Sequence, residues 1–301
     1  MKKIIFPATS RVHLARQSLL LFELKKDFEV DIWQPTTKSG SMSIFAIMCA
    51  VEFSNYLVRN KFDGVLIRGD RMELLPITVL CAYKQIPIVH IEGGADSGAV
   101  IDSKVRHAIT ELSDFHFVTD EVARKKVLYL GANPDRVFNM GSLDVSYAKS
   151  VVPKRLIAED YILLLHHTIP NEDTQTVYEA VKDLGYKVIG VKSNQDYDKS
   201  IMQEEYTAED FISLMYYAQC FVSNSSAACK EASILGVPTC LIGKRQDGRL
   251  TGHNAIRVPH VKERITKAVK LQIAHGRYEP DEIYFQPESE KKIANKLKEI
   301  L

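Results

Sequence analysis

The sequence predicts an α/β protein of two domains, each built on a parallel β-sheet with helices on both faces. Short apolar runs alternate with longer amphipathic segments, a rhythm typical of β-α-β units with parallel strands. The chain has 301 residues, about twice a common domain length of roughly 150, and the rhythm pauses once, near residue 150. Each half therefore has enough material for its own hydrophobic core.

The first half is predicted to contain five strands with a helix after each of them. The predicted strands are KIIFPAT, EVDIWQP, FDGVLIRGD, IPIVHIEGG and FHFVTD. The predicted helices lie around ARQSLLLFELKKD, from Ser43 to Arg59, and over LLPITVLCAYKQ, SKVRHAITELS and EVARKKVLYLG. Thr119 or Asp120 is expected to cap the start of the last of these helices, and Gly131 its end.

The second half repeats this pattern after a predicted linker, GSLDVSYAKSVVPKRLIAED. Its predicted strands are YILLLHH, KVIGVKS, CFVSNSS and PTCLIGK, with helices between them. The expected domains are residues 1–150 and 151–286. A final amphipathic helix, within residues 287–301, is expected to pack back on the N-terminal domain.

Composition argues against several classes of function. Lysine and arginine number 39 against 38 acidic residues, so no overall charge attracts nucleic acid or an anionic membrane. The N-terminal apolar run is too short for a signal peptide, and no membrane span is expected. The five cysteines show no metal-binding spacing and mostly lie in apolar runs, which favours buried, reduced thiols. We therefore expect a cytoplasmic protein without a metal.

Polar side chains follow six of the predicted strands. Since open parallel sheets bind ligands beyond the carboxyl ends of their strands, these side chains are candidates for one site. They are Asp70 and Arg71, His90 and Glu92, His166 and His167, Asn194 and Asp196, Ser225 and Ser226, and Arg245 and Arg249. One polar strand end is ordinary capping or turn chemistry, but six together favour a functional cleft.

Three acids of the first half are suited to proton transfer. Asp70 is either a site residue or a helix N-cap with Glu73 as its capping-box partner. Glu92 precedes two glycines, which would allow a tight turn or the close approach of a ligand; a solvated loop residue is the alternative. Asp102 precedes Arg106 by four residues and is either a site residue or a charge favoured by the helix dipole.

The second half offers groups suited to an anion. SNSSAACKEA predicts a strand, a serine-rich turn and a helix of small residues, and such a helix start binds phosphate through its N–H groups and hydroxyls. Glu231, about two turns into that helix, could accept a ribose diol; an N-cap serine with an ordinary surface glutamate is the alternative. Arg245 and Arg249 could neutralise a diphosphate or be solvated. His166 and His167 could face a ligand or the core.

These residues together resemble a known family. GDRMELL, HIEGG with DSKVRHAITELSDFHFV, GANPDRVFNMGS and NSSAACKEASILGVPTCLIGKRQDGRLTGHN are similar to the UDP-N-acetylglucosamine 2-epimerases. The likeness is greatest to the hydrolysing branch, which includes bacterial enzymes of sialic acid biosynthesis and is marked by the pattern GxRQxGRxTGxN. The resemblance covers most of residues 60–145 and 220–255.

The resemblance implies a glycosyltransferase-B-like fold, in which two Rossmann-like domains face a cleft and the C-terminal domain binds UDP. It implies a reaction without redox or metal cofactor. A carboxylate removes the proton at C2 of the sugar, UDP leaves from C1, and water adds to the resulting glycal, which gives UDP and free N-acetylmannosamine. The expected partner is the UDP-sugar substrate, and a homodimer or homotetramer is expected.

The resemblance also assigns roles to individual residues. The catalytic set is Asp70, Glu92, Asp102, Arg106 and His167, with His166 the alternative to His167. For substrate binding the resemblance matches Arg11, Ser225, Ser226 and Glu231, and the polar residues Asn194, Arg245 and Arg249, which follow predicted strands, complete the expected set.

The chain departs from the family pattern in three places. Ala95 stands where the family has a glutamate after HIEGG, His13 stands where it has an acid, and the chain is some tens of residues shorter around residues 36–60 and 170–210. These regions shape the sugar pocket, so the sequence leaves a different sugar open. It also leaves open a non-hydrolysing epimerase, a glycosyltransferase on the same fold and a UDP-sugar-binding protein without turnover.

Overall fold

The computed structural model of the protein describes residues 1–9, 11–98, 101–191 and 203–301. It divides into two compact units. The first consists of residues 1–96, 101–146 and 286–301, and the second chiefly of residues 147–285. Each unit contains a six-stranded sheet whose strands are all parallel, so the predicted fold class is confirmed.

The first sheet has the strand order β2-β1-β3-β4-β5-β6. Its strands are β1 (Lys2–Pro7), β2 (Phe28–Trp33), β3 (Gly64–Arg68), β4 (Ile88–Ile91), β5 (Phe115–Val118) and β6 (Val137–Asn139). The helices between and after them are α1 (Arg11–Arg16), α2 (Ser18–Leu24), α3 (Met42–Arg59), α4 (Leu74–Tyr83), α5 (Ile101–Glu111), α6 (Glu121–Tyr129) and α7 (Leu143–Ser150). The short strand β6 was not predicted, and α7 occupies the first part of the predicted linker.

The second sheet has the order β12-β11-β10-β7-β8-β9. Its strands are β7 (Tyr161–Leu165), β8 (Lys187–Val191), β9 (Gln203–Glu204), β10 (Cys220–Ser223), β11 (Thr239–Ile242) and β12 (Ala255–Val258). The helices are α8 (Thr174–Val181), α9 (Ala208–Tyr217), α10 (Glu231–Ile234) and α11 (Lys262–His275), and the chain ends with α12 (Ser289–Ile300) in the first unit. The strands β9 and β12 were not predicted.

Alternate residues of the first sheet serve two separate cores, as expected for a parallel sheet covered on both faces. On one face Phe6 and Leu66 pack with Leu24 of α2 and Leu297 of α12. The opposite face packs against α3, α4 and α5. The C-terminal helix therefore completes one of the two cores of the first unit.

The second sheet is packed by the same logic. Its strands β7, β10 and β11 present apolar side chains such as Leu164 and Val222 to α8 and α11, where Val177 and Val269 are fully buried. This packing fixes the carboxyl ends of β7, β10 and β11 side by side, since these three strands are hydrogen-bonded neighbours.

One helix differs from the sequence-based expectation about membranes. Among the described residues, α3 alone has the length and mean hydropathy, 1.2, of a membrane-spanning helix, and 22% of it is buried. Cys49 and Phe53 on one side pack fully into the core, whereas Ile47 and Val58 on the other side are mostly exposed. By length and composition alone α3 could therefore cross a membrane, whereas the sequence analysis expected no membrane span.

The predicted caps of α6 are present. The Asp120 carboxylate accepts a hydrogen bond from the backbone N–H of Ala123 at 2.9 Å, and Gly131 follows the helix with a positive φ of 101°. Asp120, rather than Thr119, is the N-cap residue.

Candidate active site

Asp70 and Glu92 follow neighbouring strands of the first sheet. β3 and β4 pair in parallel, with Arg68 in register with Ile91. Both acids therefore leave the sheet at the same edge, the one where ligands of open parallel sheets bind. The turn after β3 depends on Gly69, whose φ of 81° lies in the left-handed region.

Asp70 is paired with a buried arginine. The Arg106 guanidinium, only 5% exposed, reaches from α5 and donates one hydrogen bond to the Asp70 carboxylate and another to the Ala95 carbonyl. The alternative that Asp70 caps a helix with Glu73 is wrong, because α4 begins at Leu74 and Glu73 is itself bound by Arg71, at 2.5 Å from Nε to Oε1. The structure thus brings together Asp70 and Arg106.

Glu92 faces a second buried arginine, which the sequence alone did not indicate as a site residue. Arg68, the last residue of β3, donates from Nη2 to Glu92 Oε1 at 3.0 Å and to Asp144 Oδ1 at 2.6 Å. The Ser142 hydroxyl also contacts Glu92 Oε1, at 3.3 Å. Burial alone would lower the pKa of Arg68, but the attraction of the two carboxylates outweighs burial and raises that pKa. The only sequence signal was an arginine at the end of an otherwise apolar strand.

His90 connects the two elements that carry Asp70 and Arg106. Its Nε2 lies 2.9 Å from the carbonyl oxygen of Gly69, and its Nδ1 lies 3.1 Å from the hydroxyl of Thr110 on α5. A carbonyl only accepts, so Nε2 carries the proton and the ring donates to the turn before Asp70. Burial lowers the pKa of His90 to about 3, so the ring stays neutral near pH 7.

The third predicted acid, Asp102, is half-buried in the first turn of α5, one turn before Arg106. In this position its charge is favoured by the helix dipole, which is compatible with a role in the site.

The two glycines after Glu92 serve packing against protein rather than the approach of a ligand. Gly94 has a φ of 79°, and a Cβ atom there would lie 2.4 Å from the Ala123 carbonyl oxygen of α6. A Cβ atom on Gly93 would lie 2.7 Å from His90 Nδ1. The segment after Glu92 must therefore pass close to α6 and β4, which only glycine allows.

In the second unit the serine-rich segment after β10 differs from the predicted helix. It forms a 3-10 turn over Ser226–Ala228 and then the short helix α10. Ser225 is buried, with its N–H donating to the Ser223 hydroxyl at 3.0 Å, whereas Ser226 is half-buried. Glu231, at the first residue of α10, is 1% exposed and not the surface glutamate of the alternative interpretation. The single helix that was predicted to bind phosphate at its N-terminus is thus replaced by a 3-10 turn and a short helix.

Asn224, which the sequence alone did not indicate either, joins the ends of β7 and β10. Its Oδ1 accepts the His167 N–H at 2.7 Å, and its Nδ2 donates to the His167 carbonyl at 2.8 Å. The same amide nitrogen lies 3.1 Å from Nε2 of His166 and donates to it. The side chain is fully buried, so this amide holds the two strand ends together without solvent.

The two adjacent histidines have different surroundings. His166 is buried, with Nδ1 at 3.1 Å from the Thr174 hydroxyl, and burial lowers its pKa to about 3. His167 is half-buried, and burial together with the nearby charge of Arg245 lowers its pKa well below the usual value. Both rings are neutral near pH 7. His166 is the member of the pair that serves the core.

The GKRQDGR segment is folded against Asn224. Arg245 Nη1 and Gln246 Nε2 donate to the Asn224 carbonyl at 3.2 and 2.8 Å. Arg257 of β12, which was not predicted, donates to the Arg249 carbonyl at 2.9 Å and also binds the Gln246 carbonyl. Arg245 and Arg249 are both half-buried, not fully solvated.

The side chains of some predicted site residues lie outside the described part of the chain. Asn194 and Asp196 fall between residues 191 and 203, and Arg11 is the first residue of α1 with only its backbone described. Within the described ranges, no group of three or more histidine, cysteine or acidic side chains could hold a metal ion. All five cysteines are buried and free of disulfides, as predicted.

Comparison with known proteins agrees with this geometry. The model of a family described as UDP-N-acetylglucosamine 2-epimerase matches residues 8–298. The polysialic acid biosynthesis protein P7 of Escherichia coli is 28% identical over 294 residues, covering 86% of this chain and 74% of that protein. A hydrolysing GDP/UDP-N,N'-diacetylbacillosamine 2-epimerase of Campylobacter jejuni is 29% identical over 238 residues, covering 68% of this chain and 62% of that protein.

Among solved structures, the UDP-GlcNAc 2-epimerase of Neisseria meningitidis bound to UDP-GlcNAc superimposes with a TM-score of 0.84 at 16% identity. The alignment covers 99% of this chain and all of the other. At that identity the likeness supports the fold, two parallel-sheet α/β domains of the glycosyltransferase-B-like kind. Over the curated relatives, the chain spans about two thirds of their length.

Proposed function

The chain belongs to the UDP-N-acetylglucosamine 2-epimerase family, and from that premise we propose that it is a hydrolysing 2-epimerase. It would convert a UDP-N-acetylhexosamine and water into UDP and the free sugar epimerised at C2, either N-acetylmannosamine or a diacetamido analogue. The observation that carries this proposal is the pair of carboxylates at adjacent strand ends. Asp70 and Glu92 each lie against a buried arginine, Arg106 and Arg68.

The reaction has two balanced steps. A carboxylate takes the C2 proton while the C1–O bond breaks and UDP leaves with the bonding electrons, which creates a C1–C2 double bond. Water then adds across that bond, with hydroxide at C1 and a proton delivered to the opposite face of C2. Such proton transfers by positioned carboxylates contribute typically 100- to 10,000-fold in rate.

The contacts of Asp70 suit it to remove a proton. A guanidinium at hydrogen-bond distance favours the ionised carboxylate, which is the form that acts as a base. His90 and Arg106 hold it from two sides, one through the Gly69 carbonyl and the other through the carboxylate itself. We propose that Asp70, Glu92 and Asp102 share the base and acid roles of the two steps.

We assign UDP to the second domain. Arg245 and Arg249 supply positive charge for the diphosphate, and Ser225 and Ser226 supply hydroxyl donors. His167, being neutral, would contribute a hydrogen bond and not a charge. Glu231 is proposed to accept the ribose diol, and Arg11 and Asn194 complete the proposed contacts.

The segment Arg245 to Arg249 favours the hydrolysing branch. Its sequence carries the branch pattern, and its fold against Asn224 gives it a defined shape beside the serine turn. The polysialic acid and diacetylbacillosamine relatives support the same branch. A cytoplasmic location and a homodimer or homotetramer remain predictions.

Two conservative substitutions test the assignment of the acids. Asp70→Asn and Glu92→Gln should each abolish release of UDP from UDP-N-acetylglucosamine while leaving the affinity for UDP within about twofold, measured by calorimetry. Glu111→Gln, at the exposed end of α5, is the matched control and should retain full turnover. Full activity in both acid variants would contradict the assignment, and binding of UDP without turnover by the wild type would indicate a binding protein.

A further inference from the structure

Arg68 is buried, but its hydrogen bonds do not satisfy all the donors of its guanidinium group. It is 5% exposed, and of its three guanidinium nitrogens only Nη2 has a hydrogen-bond partner among the described residues. Burying a cation with unsatisfied donors is unfavourable, and an apolar residue would serve a purely structural role in β3 better. Unsatisfied polar groups of this kind call for an explanation in terms of function.

The single bonded nitrogen is shared by two carboxylates. Arg68 Nη2 lies 3.0 Å from Glu92 Oε1 and 2.6 Å from Asp144 Oδ1. Asp144 comes from the first turn of α7 and is itself buried, and Ser142 approaches the same oxygen of Glu92. Arg68 and the Ser142 hydroxyl thus both contact one oxygen atom of Glu92, and Asp144 holds the guanidinium that makes the first of these contacts.

The backbone of Glu92 is also held in an unfavourable conformation. Its φ of 64° lies in the left-handed region, which a residue with a side chain adopts at a cost. Its N–H donates to the Phe117 carbonyl of β5 at 2.8 Å, which anchors this conformation. Backbone and side chain are therefore both constrained at the same residue.

We propose that Arg68 is a positioning residue that holds Glu92 ionised and correctly oriented for proton transfer, with Asp144 orienting the Arg68 guanidinium. The inference rests on the proposed function of Glu92. Asp144 has two effects in this arrangement: it orients the guanidinium, and it competes with Glu92 for the positive charge. The balance between Glu92 and Asp144 therefore sets how strongly Arg68 favours the ionised form of Glu92.

Titratable groups on the neighbouring strands do not supply this charge. His90 on β4 and His116 on β5 are buried, and burial lowers their pKa values to about 3 and about 4, so both are neutral near pH 7. The neighbouring cation Arg106 is bound to Asp70. Arg68, by contrast, is a cation in direct contact with Glu92.

The test is a titration of the Glu92 carboxyl carbon by NMR in protein labelled with ¹³C at glutamate Cδ, with the signal assigned through Glu92→Gln. In Arg68→Gln the Glu92 signal should titrate at a pH higher by about one unit or more than in the wild type. In Asp144→Asn it should titrate at the wild-type pH or below, because the competing carboxylate is gone. Arg59→Gln, at the exposed end of α3, is the control and should match the wild type.

Turnover gives a second readout. Arg68→Gln should lower kcat by about 100-fold with little change in UDP affinity, and the acidic limb of its pH–rate profile should move to higher pH. Arg68→Lys keeps the charge but not the guanidinium geometry. In this variant Glu92 should titrate near the wild-type pH, yet kcat should still fall. If Arg68→Gln does not fold, the double variant Arg68→Gln/Asp144→Asn removes the unpaired acid and takes its place.

The outcomes separate the two proposals. An unchanged Glu92 titration in the Arg68→Gln variant would overturn the role of Arg68, whatever the wild-type activity. If the Glu92 titration shifts in Arg68→Gln but the wild type turns over no UDP-sugar, the proposed function is wrong and the effect of Arg68 on Glu92 stands.

Discussion

Replacing Asn224 by alanine tests whether the second domain is organised around one buried amide. The side chain makes three hydrogen bonds: with the N–H and the carbonyl of His167, at 2.7 and 2.8 Å, and with Nε2 of His166, at 3.1 Å. Alanine removes all three. The Asn224 carbonyl, which binds Arg245 and Gln246, stays in place, so the substitution tests the side chain alone.

The expected loss of stability follows from where each partner lies. Nε2 of His166 is left buried without a donor, at a cost of roughly 1–3 kcal/mol. The two backbone groups of His167 are half-buried and water can reach them, so each bond contributes about 1 kcal/mol. The sum is about 4 kcal/mol, which corresponds to a fall in Tm of roughly 8–16 °C for a domain of this size. Because the ends of β7 and β10 separate, affinity for UDP should fall at least about 10-fold.

Differential scanning calorimetry and UDP titration of Asn224→Ala measure both effects, with exposed Asn55→Ala on α3 as control. Asn224→Asp is a further check, since it places an acceptor against the His167 carbonyl and against Nε2 of His166. Protonation of His166 relieves the second clash, so the deficit of this variant should shrink as the pH falls. A Tm within about 2 °C of the wild type and unchanged UDP affinity in Asn224→Ala would refute the reasoning.

Three further predictions concern stability and reactivity. Gly243→Ala puts a side chain at a φ of 69° and displaces the Glu172 carboxylate. The left-handed conformation should cost about 1–2 kcal/mol in urea unfolding, and an unchanged midpoint would contradict this. His90, His116 and His166 have pKa values of about 3, 4 and 3 in the fold. The unfolded chain therefore binds more protons below about pH 6.5, and each histidine should remove about 2 kcal/mol of stability between pH 7 and pH 5; equal unfolding free energies at the two pH values would argue against neutral buried rings. The five buried cysteines should react with a thiol reagent only after unfolding, and fast labelling of any one in the native protein would show that it is accessible.

The sequence predicted the long elements well because their patterns reflect burial on both faces of a sheet. β3, β4, β5, β7, β10 and β11 are short, mostly apolar runs that are buried along nearly their whole length. The short strands β6, β9 and β12 were missed because each is an edge strand of at most four residues, in which alternation is too brief to recognise. Helix α7 was not predicted because its short sequence, LDVSYAKS, is rich in polar residues and resembles a linker.

The sequence predicted the site residues that directly follow strands, but not the residues that reach the site through contacts with distant parts of the chain. Asp70 and Glu92 could be found from their places after β3 and β4. Arg68 and Asp144 could not, because the pairing joins residues 76 positions apart. Asp144 in particular stood inside the predicted linker, where its burial against β3 left no trace in the pattern.

Asn224 was overlooked for a related reason. An asparagine beside two serines is typical of a turn, and nothing in the local sequence distinguishes a buried amide from a solvated one. Only the fold shows its amide against His166 and His167.

The serine-rich segment shows the limit of helix prediction from small residues. Ser226, Ala227 and Ala228 favour a helix by size, yet the chain forms a 3-10 turn there before α10 starts at Glu231. The buried Lys230 and Ser233 around this junction show that tertiary packing, not local propensity, set its geometry.

The proposed hydrolysing epimerisation is tested most directly by identifying the product formed from UDP-N-acetylglucosamine in D₂O by mass spectrometry and proton NMR. We expect UDP and free N-acetylmannosamine that carries one solvent deuterium, at C2, because the C2 proton is removed and later replaced from solvent. UDP-N-acetylmannosamine as the only epimerised product, or a released sugar without deuterium at C2, would contradict this mechanism.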